Sequence, residues 1–214
     1  MIRQLVTFAL LAFPLAGAAD DPPVDALPPE QEAEALRRAE SVGRAIYRHD
    51  HAAAIATDAA RKLRAYRKDK RLQGWITEDR QGDIIVTFVG APVGQPAAAL
   101  YRVVTSSMGY VVGKTEVLKE PAPLTDWEAA AFAARETASA SGFQPCAERY
   151  NSVVLPDGDA AARRWVVYLL PATTDDDVIP IGGTYRVEVG ADGRTVLSSR
   201  PFTRTCIALG RGGG

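Results

Sequence analysis

Apolar positions repeat at helical spacing from Glu30 to about Lys68. Leu36, Ala39, Val42, Gly43, Ile46 and Tyr47 form a stripe that Ala52, Ile55, Ala59 and Leu63 continue. The spacing predicts one long helix. Glu30, Glu32 and Glu34 lie at its start and Arg61, Lys62, Arg64, Arg67 and Lys68 at its end, each sign where the helix dipole favours it. The stripe is interrupted at Arg48-His49-Asp50-His51, where a bend or break is expected. From Gly74 the period changes to two. Residues 74–78 and 83–89 read as strands joined at Gln81-Gly82, and 99–105 and 110–118 as two more. Residues 126–141 read as a second helix, with Thr125 and Glu128 spaced for a capping box and Gly142 as a stop. Four further strands follow at 149–155, 164–170, 183–189 and 194–200, separated by Pro, Asp and Gly turns.

The order helix then four strands therefore occurs twice. Tyr101-Arg102-Val103 recurs as Tyr185-Arg186-Val187 at a spacing of 84, and at that spacing Gly109 meets Gly193 and Val112 meets Val196. Residues 84–89 align with 165–170. The predicted class is α+β: two similar units, each a helix packed on a four-stranded antiparallel sheet. The units are expected over 30–120 and 121–207, after a leader (1–19) and a Pro-rich linker (20–29), and before a flexible tail (208–214). Strands 84–89 and 165–170 are apolar on both faces. Their second faces are expected either to pack on the other unit or to receive a partner.

The N-terminus changes where such a protein would work. Arg3, an apolar run over 5–15 and Ala16-Gly17-Ala18-Ala19 before Asp20 have the tripartite form of an export signal. No second apolar run of membrane length follows, so no transmembrane span is expected after signal cleavage. The predicted location is periplasmic or secreted. In such a compartment Cys146 and Cys206, the two cysteines of the chain, are expected to form a disulfide. The 25 Lys+Arg balance 26 Asp+Glu, which argues against a nucleic-acid-binding surface.

The stretch Tyr185-Arg186-Val187-Glu188-Val189, followed by Asp192-Gly193 and Val196-Leu197, resembles the closing hairpin of a PepSY repeat, a helix followed by antiparallel strands. Trp75, shortly after the first helix, is similar to a residue of that family's first strand. Tandem helix-plus-four-strand units also resemble secreted β-lactamase inhibitor proteins. Both resemblances imply an exported, non-catalytic module that binds or inhibits another protein.

Chemical motifs are sparse. No G-x-S-x-G elbow, P-loop or H-E-x-x-H is present. On an unbroken helix His49 and His51, two apart, point to different faces and do not chelate one metal together, whereas a break there would make a site possible. Asp175-Asp176-Asp177 lacks EF-hand spacing and reads as a solvated loop. The basic run 61–71 reads as a solvated helix end, with an anionic envelope surface or acidic partner as the alternative. No catalytic or metal-binding residue and no cofactor is assigned. The binding candidates are Tyr47, Asp50, His51, Asp58 and Trp75, with Asp58 expected to be partly buried among small residues. The leading reading is an exported soluble binding or inhibitor-type module acting on an unknown envelope protein or cell-surface ligand. The alternatives are an envelope hydrolase with a non-standard site near His49, Asp50, His51 and Asp58, and a passive structural envelope protein.

Overall fold

The computed structural model describes residues 27–91, 94–159, 163–173, 175 and 177–210. The expected leader, most of the expected linker, Asp176 and residues 211–214 lie outside them. The chain divides into one unit ending at Arg38 and a second, Ala39–Gly214. The first contains the start of helix α1 (Pro29–Arg61), where Glu34 and Arg37 pair across one exposed turn. The remaining elements belong to the second unit. No helix among the described residues is long and apolar enough to cross a membrane.

Helix α1 runs unbroken through 48–51, contrary to the expected bend. His49 takes the place of an apolar residue there: it is buried and its Nδ1 lies 2.7 Å from the Thr77 hydroxyl. The helix ends at Arg61 instead, and a single further turn, α2 (Arg64–Lys68), follows. The guanidinium of Arg67 donates to the carbonyls of Arg61 and Lys62, satisfying groups that a helix end leaves open.

Strands β1 (Leu72–Arg80), β2 (Asp83–Gly90), β3 (Ala98–Thr105) and β4 (Val111–Pro123) form an antiparallel sheet in chain order. The β1–β2 hairpin turns on Gln81 and Gly82, both at positive φ (57° and 96°), the two-residue turn whose twist matches the strands. Arg48 of α1 clips this hairpin by donating to Asp79 and to the Gly82 carbonyl. Helix α3 (Asp126–Ser139) begins with the expected capping box between Thr125 and Glu128. Six strands follow among the described residues: β5 (Arg149–Asp157), β6 (Arg164–Ala172), β7 (Val178–Pro180), β8 (Tyr185–Val189), β9 (Val196–Pro201) and β10 (Ala208–Gly210). The second four-stranded antiparallel sheet has the order β5-β6-β8-β9, and β7 pairs with β10 in a separate ribbon. The protein is thus α+β, with a long N-terminal helix and two antiparallel sheets of four strands.

Residues 208–210 correct one expectation, because they are strand and not the start of a flexible tail. Cys206 is disulfide-bonded to Cys146, and Ile181 and Gly182 both donate to the Ile207 carbonyl, so the segment is held beside β7.

The core explains the strands that are apolar on both faces. Ala52, Ala56 and Ala60 of α1 lie over Ile84, Val86, Phe88, Leu100 and Val103 of the first sheet. Ala131, Phe132, Ala134 and Ala138 of α3 lie over Trp165, Val167, Leu169, Val187 and Val189 of the second sheet and also reach Ile76 and Val89 of the first. The other face of the second sheet, with Val153, Val166 and Tyr168, is covered by Val42 and Ile46 of α1. Helices α1 and α3 therefore each serve both sheets. The apolar faces of β2 and β6 are interior, which removes them as surfaces open to a partner.

Candidate functional site

The edge strands β1 and β5 run past each other where the two sheets meet, with α3 in contact with both. Arg135 of α3 fills this seam. Its Nε donates to the Ser152 hydroxyl at 3.0 Å, and its Nη1 pairs with Glu136. Its guanidinium carbon lies 5.7 Å from the Trp75 ring centre and 5.9 Å from that of Phe132, within cation–π range of both. The close fit depends on Gly74: a Cβ there would come within 2.6 Å of the guanidinium carbon. A bare backbone on an edge strand thus admits a large, mostly buried cation.

Above the seam opens a cleft of about 520 Å³. Helix α1 supplies Asp50, Asp58 and Arg61, β1 supplies Trp75, α3 supplies Arg135 and β5 supplies Arg149. Asp50 is tied across the cleft by Asn151, whose amide donates to it at 3.1 Å. Burial raises the Asp50 pKa above the ordinary carboxylate value, against the opposing pull of Asn151 and His51. Asp58 is exposed, which corrects the expectation of partial burial: Ala56 and Ala60 face the core, and Asp58 lies outside that stripe. Arg61, Arg149 and Asp58 make no side-chain hydrogen bond or ion pair among the described residues.

The structure brings together three of the five candidates, Asp50, Asp58 and Trp75. Tyr47 and His51 lie elsewhere on α1, their rings stacked at 5.4 Å and 8°. They line a smaller recess of about 150 Å³ against the β3–β4 turn at Met108 and Gly109. His49 is in neither cavity. Its burial lowers its pKa to about 4, so near neutral pH it is an uncharged core residue bonded to Thr77. The four residues of the hydrolase alternative are therefore spread over the core, the cleft and the recess. No group of three or more His, Cys, Asp or Glu among the described residues is placed to hold a metal.

The basic run divides into engaged and unengaged residues. Arg67 caps α1, and Arg71 pairs with Asp69, which also accepts from the Tyr101 hydroxyl. The Arg71 hydrogen bond is the main reason that the Asp69 pKa falls to about 2. Lys62, Arg64, Lys68 and Lys70 make no ion pair among the described residues. Arg135, Arg149 and Asn151 were not legible as site residues, because no local pattern announces a contact between α3, β1 and β5. A glycine inside a strand pattern, at Gly74, was the one available signal of a close approach.

A more apolar groove of about 620 Å³ lies between Pro96, Pro121, Pro123, Leu124 and Phe132, with Arg194 at its side. It contains none of the candidates. No protein-family model, curated protein or solved structure matches the chain.

Proposed function

We propose that the protein is an exported, non-catalytic binding module of PepSY-like or inhibitor-like architecture, built by duplication, that holds its ligand in the seam cleft. The single observation that carries the binding reading is the composition of that cleft: two aromatic rings (Trp75 and Tyr150), two carboxylates and three guanidiniums from four elements, with Arg61 and Arg149 in no side-chain hydrogen bond or ion pair among the described residues. The volume lies in the range of small-ligand sites.

Duplication is supported by strand register. In the first sheet Phe88 pairs with Tyr101, Thr87 with Arg102 and Val86 with Val103. In the second, Leu169 pairs with Tyr185, Tyr168 with Arg186 and Val167 with Val187. These are the same partners under the alignment of 84–89 with 165–170 and of Tyr101 with Tyr185. Export is supported by the leader pattern over 1–19 and by the Cys146–Cys206 disulfide.

The test is site-specific photocross-linking of protein exported by its own leader. A photoreactive residue replacing Thr57, inside the cleft, is expected to give one discrete adduct in the cell envelope. That adduct should be competed by excess unlabelled protein and lost with Trp75→Ala. The exported chain is expected to begin at Asp20. A cytoplasmic, uncleaved protein sinks the export reading, and an adduct pattern indifferent to Trp75→Ala, or none, sinks the binding reading.

A further inference from the structure

We infer that the ligand of the seam cleft carries clustered anionic oxygens, carboxylate or phosphate, held by Arg61 and Arg149 at the rim and Arg135 at the floor. This rests on reading the cleft as the binding site. The three guanidiniums come from α1, β5 and α3, so they face the space from different directions. A guanidinium presents a planar fork of donors that matches such oxygens. Arg135 is preorganised: Ser152 fixes Nε, Gly74 and Trp75 fix the plane, and its Nη2 has no partner among the described residues. Arg61 and Arg149 have donors free for an incoming group.

Arg135 is paired with Glu136 through Nη1 and offers its Nη2, but the carboxylates that line the cleft do not cancel the charge of Arg61 and Arg149. Asp50 already accepts from Asn151, and burial disfavours its ionised form. Asp58 is the remaining unengaged acid, against two unengaged arginines. A cationic ligand would meet three guanidiniums, and a neutral one would leave the rim arginines unused. Seven of the eleven residues 61–71 are Lys or Arg, and the run starts at Arg61 itself. Its unpaired members Lys62, Arg64, Lys68 and Lys70 extend a positive field from the cleft wall, which raises the encounter rate of anions and makes it salt-dependent.

The experiment is calorimetric and fluorescence titration of the disulfide-intact exported protein at low ionic strength. The probes are citrate (carboxylate) and pyrophosphate (phosphate), with sucrose and spermidine as neutral and cationic comparators. At least one anion is expected to bind saturably at one site, and which one binds identifies the oxygen source. Arg149→Ala and Arg61→Ala, both at exposed positions, should each weaken it about tenfold. Lys114→Ala and Arg204→Ala, both exposed and outside the cleft and the basic run, should leave it within a factor of two. Absence of saturable binding by both anions, or affinity unchanged in the Arg61→Ala/Arg149→Ala double variant, overturns the inference. Saturation by spermidine or sucrose alone, abolished by Asp50→Asn, also overturns it while leaving the cleft as a binding site. The cross-linking at position 57 reports on that broader reading separately.

Discussion

The His49 imidazole and the Thr77 hydroxyl are hydrogen-bonded at 2.7 Å in the buried layer between α1 and β1. Burial is the main reason that the His49 pKa falls from 6.5 to about 4. Between these values the unfolded chain takes up a proton that the folded chain excludes. The stabilisation is therefore complete above about pH 6.5 and is lost as pH falls toward 4. A shift of this size corresponds to at most about 3 kcal/mol. His49→Gln is expected to lower stability at pH 7 but to flatten the fall in urea midpoint between pH 6.5 and 4.5. An equally steep fall in wild type and variant would assign the acid sensitivity to other groups.

Gly74→Ala is expected to destabilise by about 1 kcal/mol, because its Cβ would displace the Arg135 guanidinium from Trp75 and Ser152. In an Arg135→Ala background the same change should cost less than half as much. Urea unfolding of the four proteins of this cycle measures the coupling. Additive effects would mean that residue 74 is constrained by something other than Arg135.

Glu128 anchors the start of α3 to the first sheet. Its buried carboxylate accepts from the Thr125 backbone at 2.9 Å, from Arg102 at 3.0 Å and from Thr87 at 3.2 Å. Burial raises its pKa, but these donors outweigh burial and hold the value below the ordinary one. Its contribution is thus present above the unfolded glutamate pKa and lost as pH falls through the lower folded one. Glu128→Ala leaves Arg102 unpaired and is expected to cost about 3 kcal/mol. Glu128→Gln retains the acceptor for Thr125 and should cost about half of that. Equal losses in thermal unfolding would contradict a role for the charge.

Removing the Cys146–Cys206 bridge, which spans 60 residues, is expected to cost up to about 4 kcal/mol in the chain-entropy account. The local signature should be faster hydrogen exchange at Ile181 and Gly182, whose N–H groups donate to Ile207. Reduction that leaves those amides protected would show that the ribbon of β7 and β10 is self-supporting.

Local chemistry was legible in the sequence where it is self-contained. The Thr125–Glu128 box, the Gln81-Gly82 turn and the alternation of the strands depend on neighbours a few residues away. Contacts between distant segments were not. Nothing near His49 signals Thr77, so the polar interruption read as a break although tertiary burial keeps the helix continuous. The sequence signals at Asp50, Asp58 and Trp75 are separate, and their meeting in one cleft follows from the passage of β1 beside β5. Nothing in the sequence marks Arg135, because an arginine inside an amphipathic helix gives no indication of which backbone it lies against.

Helix α1 imposes a constraint on dissecting the protein. Val42 and Ile46 seal the sheet built from the C-terminal half, and Ala52, Ala56 and Ala60 seal the one built before it. A fragment beginning at residue 121 would carry its sheet without that lid and leave Val153, Val166 and Tyr168 wet. Severing the chain between the halves should yield pieces that recombine rather than fragments that stand alone.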